Sequence, residues 1–144
     1  MPRLLWEEWF EIGHDTIDFE HKVFFSLIHK LECLVEEARP RGEISRTMME
    51  ILKYAEFHFT SEENIMLEAG FSNLARHATM HRELLHRLKE DISTYEFGSS
   101  DGKDIVEFLF EWLLRHTIAE DIAISIAVKE KRLRTFFAAA NVLA

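Results

Sequence analysis

Histidines and carboxylates interrupt the apolar stripes of this chain. In four segments, apolar residues recur every three or four positions, which is the spacing of one buried face of an α-helix. The residues that stand in or beside these stripes are His21, His58, Glu62, His77, His81, His116 and Asp121. Each polar group buried without a partner costs roughly 1–3 kcal/mol. A metal would offset that cost, so the pattern predicts a buried site for two metal ions.

The stripes predict four helices, and no strand-like alternation competes with them. They run from Ile17 to Val35, from Ile44 to Ala69, from Leu74 to Ile92 and from Ile105 to His116. Between them lie helix-breaking residues: Pro40 with Gly42, then Gly70, then 98–102. We therefore predict an all-α fold, an up-down-up-down four-helix bundle with an N-terminal arm and a short C-terminal helix.

The candidate ligands stand near the starts of the first and third helices and near the ends of the second and fourth. In an up-down-up-down bundle with short connections, the starts of odd helices and the ends of even helices meet at one end. We therefore expect all seven side chains to converge at one level of the bundle.

The spacing of the ligands along a helix determines which side of the helix each side chain points to. Two pairs are four residues apart, His58 with Glu62 and His77 with His81. Each of these pairs points to one side of its helix. His116 and Asp121 are five residues apart, which on a regular helix means about 140°. We expect a bulge or a helix end there to bring Asp121 to the same side.

The boundaries divide one domain of residues 1–144 into three parts. Residues 1–16 form an aromatic-rich arm, residues 17–121 the bundle, and residues 122–144 a tail helix. Ser72 or Asn73 is expected to cap the third helix and Asp101 the fourth.

Composition limits the partners and the compartment. The net charge of −9 disfavours a nucleic-acid or anionic-membrane surface, because phosphate binding relies on clustered Lys and Arg. The basic run at 129–134 contains Glu130 and is interpreted as a solvated face. No apolar run of 18 residues and no signal peptide is found. Cys33 is the single cysteine, which excludes an internal disulfide and suits the cytoplasm.

Several motifs together resemble those of the hemerythrin and bacteriohemerythrin family. The segment IDFEHK ends with His21 and Lys22, and HFTSEE spans 58–63, with Met66 after it. The pair His77 and His81 follows, and Trp112-Leu113 leads to His116 and Asp121. The resemblance covers the chain from about Trp9 to Asp121 and includes all seven family ligands.

The resemblance implies a centre of two iron ions with an oxo or hydroxo bridge. His77, His81 and His116 would bind one iron, and His21 and His58 the other. Glu62 and Asp121 would bridge the two. The second iron would keep an open position for dioxygen, which the protein shields with apolar side chains.

Further residues are expected to line the pocket or to support the ligands. They are His14, Glu20, Ile17, Phe59, Trp112, Leu113 and Thr117. Three depart from the family pattern: Glu20 stands where Gln is usual, Thr117 where Ile is common, and His14 at a usually apolar place. We hypothesise that His14 and Thr117 give the pocket a polar edge that speeds autoxidation.

Two other kinds of metal site have some of the residues they require. A ferritin-like carboxylate centre needs Glu-x-x-His on two helices, and Glu83 with His86 and Glu11 with His14 have this spacing. The first pair points away from the ligand stripe, and the second contains Gly13. Zinc usually takes four ligands in structural sites. Seven candidate ligands therefore fit a pair of iron ions better than a zinc ion. His29 and His86 are expected at the surface.

The main hypothesis is a non-enzymatic, non-haem di-iron protein that binds dioxygen reversibly for transport or storage. The alternative is a sensor of oxygen or redox state, whose arm or tail signals to a partner. The apolar end at 136–144 supports that alternative and also suits a contact between copies of the chain. An enzyme of peroxide or nitric oxide chemistry ranks last, since no general acid or base is evident beyond His14.

Overall fold

Helices account for nearly all of the regular structure. The computed structural model describes residues 6–98 and 100–143, with the backbone alone at 118 and 141–143. The α-helices are α1 (Asp15–Glu36), α2 (Arg41–Ala69), α3 (Leu74–Glu96), α4 (Lys103–Arg115) and α5 (Ile122–Leu143). A short 3₁₀ turn, Glu8–Phe10, precedes α1, and a π-helical segment, His116–Asp121, joins α4 to α5. The described residues contain no strand, and the predicted all-α four-helix fold is confirmed.

The helix ends follow from local sequence. Pro40 is the N-cap residue of α2, and Gly70 ends that helix in the left-handed conformation at φ 66°. Asn73 is the N-cap residue of α3, although its side chain makes no capping hydrogen bond. At α4 the N-cap residue is Gly102 rather than Asp101. The carboxylate of Asp101 still accepts a hydrogen bond from the first backbone N–H of α4, at 3.0 Å.

The junction between the arm and α1 lies slightly earlier than predicted. Helix α1 begins at Asp15, because the Nδ1 atom of His14 accepts a hydrogen bond from the backbone N–H of Ile17 at 3.3 Å. The Asp18 carboxylate accepts three further hydrogen bonds, from the backbone N–H groups of residues 12–14. These contacts attach the arm to the first turn of α1 and occupy His14 as a helix cap.

Two apolar clusters fill the bundle. The larger one consists mostly of predicted stripe residues of α1–α4, with Phe10 of the arm packed against them. The smaller one consists of Ile12, Ile17, Met66 and Ile124, which come from the arm, α1, α2 and α5. This smaller cluster holds the arm and the start of α5 against the end of α2.

The C-terminal helix lies within the predicted 122–144, although its 22 residues are more than the short helix expected, and it continues α4 through the π-helical segment. No Gly or Pro occurs between Asp121 and Ala144, so nothing in the sequence ends the helix. Its first turns are held by buried Ile124 and Ser125, whereas the side chains of 129–140 are exposed. Among the described helices, none is long and apolar enough to cross a membrane.

Gly102 is a position where the bundle requires glycine. Its φ of +91° is left-handed, and an added Cβ would lie 3.1 Å from the Val35 side chain. Gly70 has φ +66° but open space around it.

We predict that Gly70→Ala lowers the free energy of unfolding by about 1–2 kcal/mol, from backbone strain alone. Gly102→Ala should cost roughly 1–3 kcal/mol more, because crowding is added.

Urea denaturation of the two metal-free variants beside the parent chain measures both costs. Equal losses for Gly70→Ala and Gly102→Ala would contradict the crowding argument.

Candidate metal centre

Glu62 occupies the middle of the cluster of candidate ligands. Its Oε1 atom lies 2.8 Å from His77 Nε2 and 3.1 Å from His81 Nε2. Its Oε2 atom lies 3.2 Å from His58 Nε2 and 3.7 Å from His21 Nε2. The side chain is fully buried. One carboxylate therefore presents one oxygen to each of two groups of histidines.

Asp121 repeats this arrangement from the opposite side. Its Oδ1 atom lies 2.9 Å from His116 Nε2 and 3.0 Å from His77 Nε2, and its Oδ2 atom lies 3.0 Å from His21 Nε2. The resulting groups, each with ligand atoms within 4.8 Å of one another, are Glu62, His77, His81 and His116, and His21, His58, Glu62 and Asp121. The structure thus brings all seven predicted residues together as two adjoining sets.

The π-helical segment explains how Asp121 reaches the cluster. A regular helix would place it about 140° from His116. The wider π turn, which spans His116–Asp121, turns both side chains to one side. This segment is the bulge that the five-residue spacing predicts.

The donor atoms fit a cation better than they fit one another. His81 Nε2 and His116 Nε2 lie 3.1 Å apart, close enough to share one proton or to face one metal ion. Within the described part of the chain, neither Asp121 oxygen and neither ring nitrogen of His21 makes a well-formed hydrogen bond. Buried polar atoms normally have partners. These atoms belong to the two groups that could each hold a metal ion, and a bound ion would be their missing partner.

The protonation behaviour of the metal-free site reflects this crowding. Burial opposes protonation of His21 and His116, but Asp121 and Glu62 outweigh it and raise the pKa of each histidine to about 9. Burial also opposes ionisation of both carboxyl groups, yet the surrounding imidazoles lower the pKa of Glu62 and that of Asp121. These shifts favour imidazolium and carboxylate forms in the metal-free site, whose opposite charges attract one another.

Two further carboxylates contact the outer nitrogens of ligand histidines. Glu20 Oε1 lies 2.8 Å from His58 Nδ1, and Glu63 Oε2 lies 2.9 Å from His81 Nδ1. Such contacts orient a histidine and direct its other nitrogen towards a metal. Sequence reasoning included Glu20 but missed Glu63. The only signal for Glu63 was its place beside Glu62, at the edge of the buried face of α2.

Most of the other predicted pocket residues are buried near the ligands. The ring of Phe59 stacks on His81 with centroids 4.0 Å apart, and Trp112 stacks on His116 at 4.2 Å. Ile17, Leu113 and Thr117 are at most 1% exposed. The Thr117 hydroxyl is buried without a hydrogen-bond partner among the described residues.

The residues of the ferritin-like alternative lie apart from this cluster. Glu83 and His86 are exposed on α3, and His86 pairs with Glu90 at 3.0 Å. Glu11 is exposed, and His14 serves as the cap of α1. His29, which was expected at the surface, is half-buried, with its Nε2 atom 3.7 Å from Cys33 Sγ.

Comparisons with known proteins agree with this geometry. The family model for the hemerythrin HHE cation binding domain matches residues 12–123. A bacteriohemerythrin of Stenotrophomonas maltophilia is 27% identical over 129 residues, which cover 90% of this chain and 84% of that protein. A myohemerythrin of Riftia pachyptila is 25% identical over 112 residues, covering 78% and 82%.

The fold is similar to that of solved hemerythrin structures. The crystal structure of wild-type hemerythrin superimposes with a TM-score of 0.80 at 24% identity, covering 86% of this chain and 96% of that one. A hemerythrin variant superimposes with a TM-score of 0.82 at 23% identity, covering 89% and 98%. With the family model matched from the arm to the start of α5, the chain belongs to the hemerythrin family of non-haem iron, oxygen-binding proteins.

Proposed function

We propose that this chain holds two iron ions and binds dioxygen reversibly, as a non-enzymatic carrier or store. The observation that carries the proposal is the placement of Glu62 and Asp121, each with one oxygen towards each group of histidines. In this proposal both carboxylates would help to hold both irons. His77, His81 and His116 would hold one iron, and His21 and His58 the other.

The chemistry of the donors supports iron. Five imidazoles and two carboxylates suit a borderline metal with more than four ligands, whereas structural zinc takes four. The bound iron pair would supply the electrons with which dioxygen is taken up. Glu62 and Asp121 contact histidines of both groups, and the second group has two histidines where the first has three. The iron in the second group would therefore be the one with a ligand position left for an external molecule.

The side chains around the site keep it dry. Phe59 and Trp112 lie flat against ligand imidazoles, and Ile17 and Leu113 are buried nearby. Excluding water protects a reactive ligand from side reactions. Thr117 is the polar exception, and its proposed effect on autoxidation stays a prediction.

A sensor is the second candidate, and the course of α5 favours it. Helix α5 begins at the residue after Asp121, and its exposed part, 129–140, extends beyond the buried first turns. A rearrangement around Asp121 would therefore act directly on the start of an exposed helix.

The main proposal predicts about two irons per chain and a visible spectrum that cycles as oxygen is added to and removed from the reduced protein. Glu62→Gln should reduce the content to below about one iron, since it removes the charge shared by both groups. His86→Ala, at an exposed histidine outside the cluster, is the control and should leave content and cycling unchanged.

Metal analysis with anaerobic spectroscopy tests this, and circular dichroism shows whether Glu62→Gln is folded. A parent chain that loads no iron would refute the proposal. Two irons that oxidise in one pass, without cycling, would refute reversible binding.

Iron loading must displace protons from the site. Since the pKa values of His21 and His116 are raised from 6.5 to about 9, both histidines hold protons at pH 7 in the metal-free chain. Their stabilising effect is complete below pH 6.5 and is lost as the pH rises through 9. We predict that the metal-free protein loses on the order of a few kcal/mol of unfolding free energy between pH 6.5 and 9.

Over the same interval, the apparent affinity for Fe²⁺ should rise, with protons released on binding. Anaerobic calorimetry in buffers of different ionisation enthalpy counts these protons. Stability that increases towards pH 9 in the metal-free protein would contradict the raised pKa values.

The carrier and the sensor differ in what happens to the exposed part of α5. For a carrier, we predict equal rates of tryptic cleavage after Arg132 and Arg134 in the reduced and oxidised protein, because that surface stays the same. The zinc-loaded chain, taken through the same reductant and oxygen, controls for effects on trypsin. A change of several-fold in the iron protein alone would favour the sensor.

A further inference from the structure

We propose that Glu20 is a positioning residue that fixes the tautomer of His58 and lowers the reduction potential of the metal ion bound there. The inference rests on the proposed function, because it concerns the ion held by His21 and His58. It assigns to Glu20 a role distinct from that of the seven ligands.

The contacts of Glu20 show a side chain held at both oxygens. Its Oε1 atom lies 2.8 Å from His58 Nδ1, and its Oε2 atom accepts a hydrogen bond from Ser61 Oγ at 2.7 Å. Its backbone oxygen accepts a hydrogen bond from the Tyr54 hydroxyl at 2.5 Å. The residue is 7% exposed. The carboxylate is therefore fixed between α1 and α2.

This placement determines which nitrogen of His58 carries the proton. A carboxylate accepts hydrogen bonds and has none to donate, so Nδ1 of His58 must be the donor to Glu20. The lone pair of a neutral His58 is then on Nε2, the atom that faces the Glu62 carboxylate at 3.2 Å. The histidine is thus prepared to bind a metal through Nε2.

The charge of Glu20 has a second effect. A negative acceptor on Nδ1 pulls the proton away from the ring and makes the imidazole a stronger electron donor. A stronger donor stabilises the ferric ion more than the ferrous ion. Because the carboxylate is buried, water screens its charge little. The consequence is a lower reduction potential at this ion.

Glu63 provides a matched comparison in the other group. It contacts His81 Nδ1 at 2.9 Å, as Glu20 contacts His58, but its side chain is 34% exposed against 9% for Glu20. Solvent should screen Glu63 more strongly. The same substitution at the two positions therefore separates the effect of a buried charge from that of a charge screened by solvent.

The experiment uses the iron-loaded full chain and its Glu20→Gln and Glu63→Gln variants in anaerobic redox titrations. Glutamine keeps an oxygen acceptor for the histidine and removes the charge. At a fixed potential, we expect Glu20→Gln to raise the ferrous-to-ferric ratio of one ion about tenfold, equal to about 59 mV. Glu63→Gln should change it by less than about threefold.

A titration of the metal-free chain with Co²⁺ tests the positioning role without relying on iron. Glu20→Ala should weaken the binding of one Co²⁺ by roughly 10–100-fold, and Glu20→Gln should restore most of that loss. Recovery by Gln distinguishes a hydrogen-bonding role from general damage to the fold.

The outcomes separate the two proposals. A parent chain that binds no iron refutes the proposed function. Two irons with an unchanged potential in Glu20→Gln overturn the role of the charge and leave the proposed function standing. Unchanged Co²⁺ affinity in Glu20→Ala overturns the positioning role.

Discussion

The buried carboxylate of Glu62 is the constraint on which the rest of the structure depends. Among the histidines of α1, α2 and α3, four have an Nε2 atom within 3.7 Å of its oxygens. A carboxylate without access to water is stable only among positive or hydrogen-bonding partners. The helices can therefore approach closely at this level only if each contributes a partner. The π-helical segment after α4 contributes a fifth histidine, His116, whose Nε2 atom lies 3.7 Å from Glu62 Oε1.

The apolar clusters are arranged around this polar level. The larger cluster contains most of the buried apolar residues that the structure describes, and the smaller one, with Ile12 and Ile124 in contact with α2, covers the site end. Ile12 precedes α1 and Ile124 follows Asp121, so these two covering residues lie outside the four predicted stripes. Shielding of the site is thus shared between them and two members of the larger cluster, Phe59 and Leu113.

Sequence periodicity was enough to predict the four helices, and the ligand spacing to predict the bulge before Asp121, because both depend on one face of a helix. It could not predict contacts made at the edges of those faces. Glu63 is half-buried and reaches His81 from another helix, and His14 caps α1 through its ring.

The π-helical segment has a consequence for how this chain tolerates changes in length. Five residues in a π turn rotate the chain by about as much as four residues in an α turn. Loss of one residue between His116 and Asp121 would therefore turn the segment into regular α-helix while leaving the aspartate on the same side. Helix α5 would keep its phase, with Ile124 and Ser125 still directed inwards. The segment thus accommodates one additional residue without changing the orientation of helix α5.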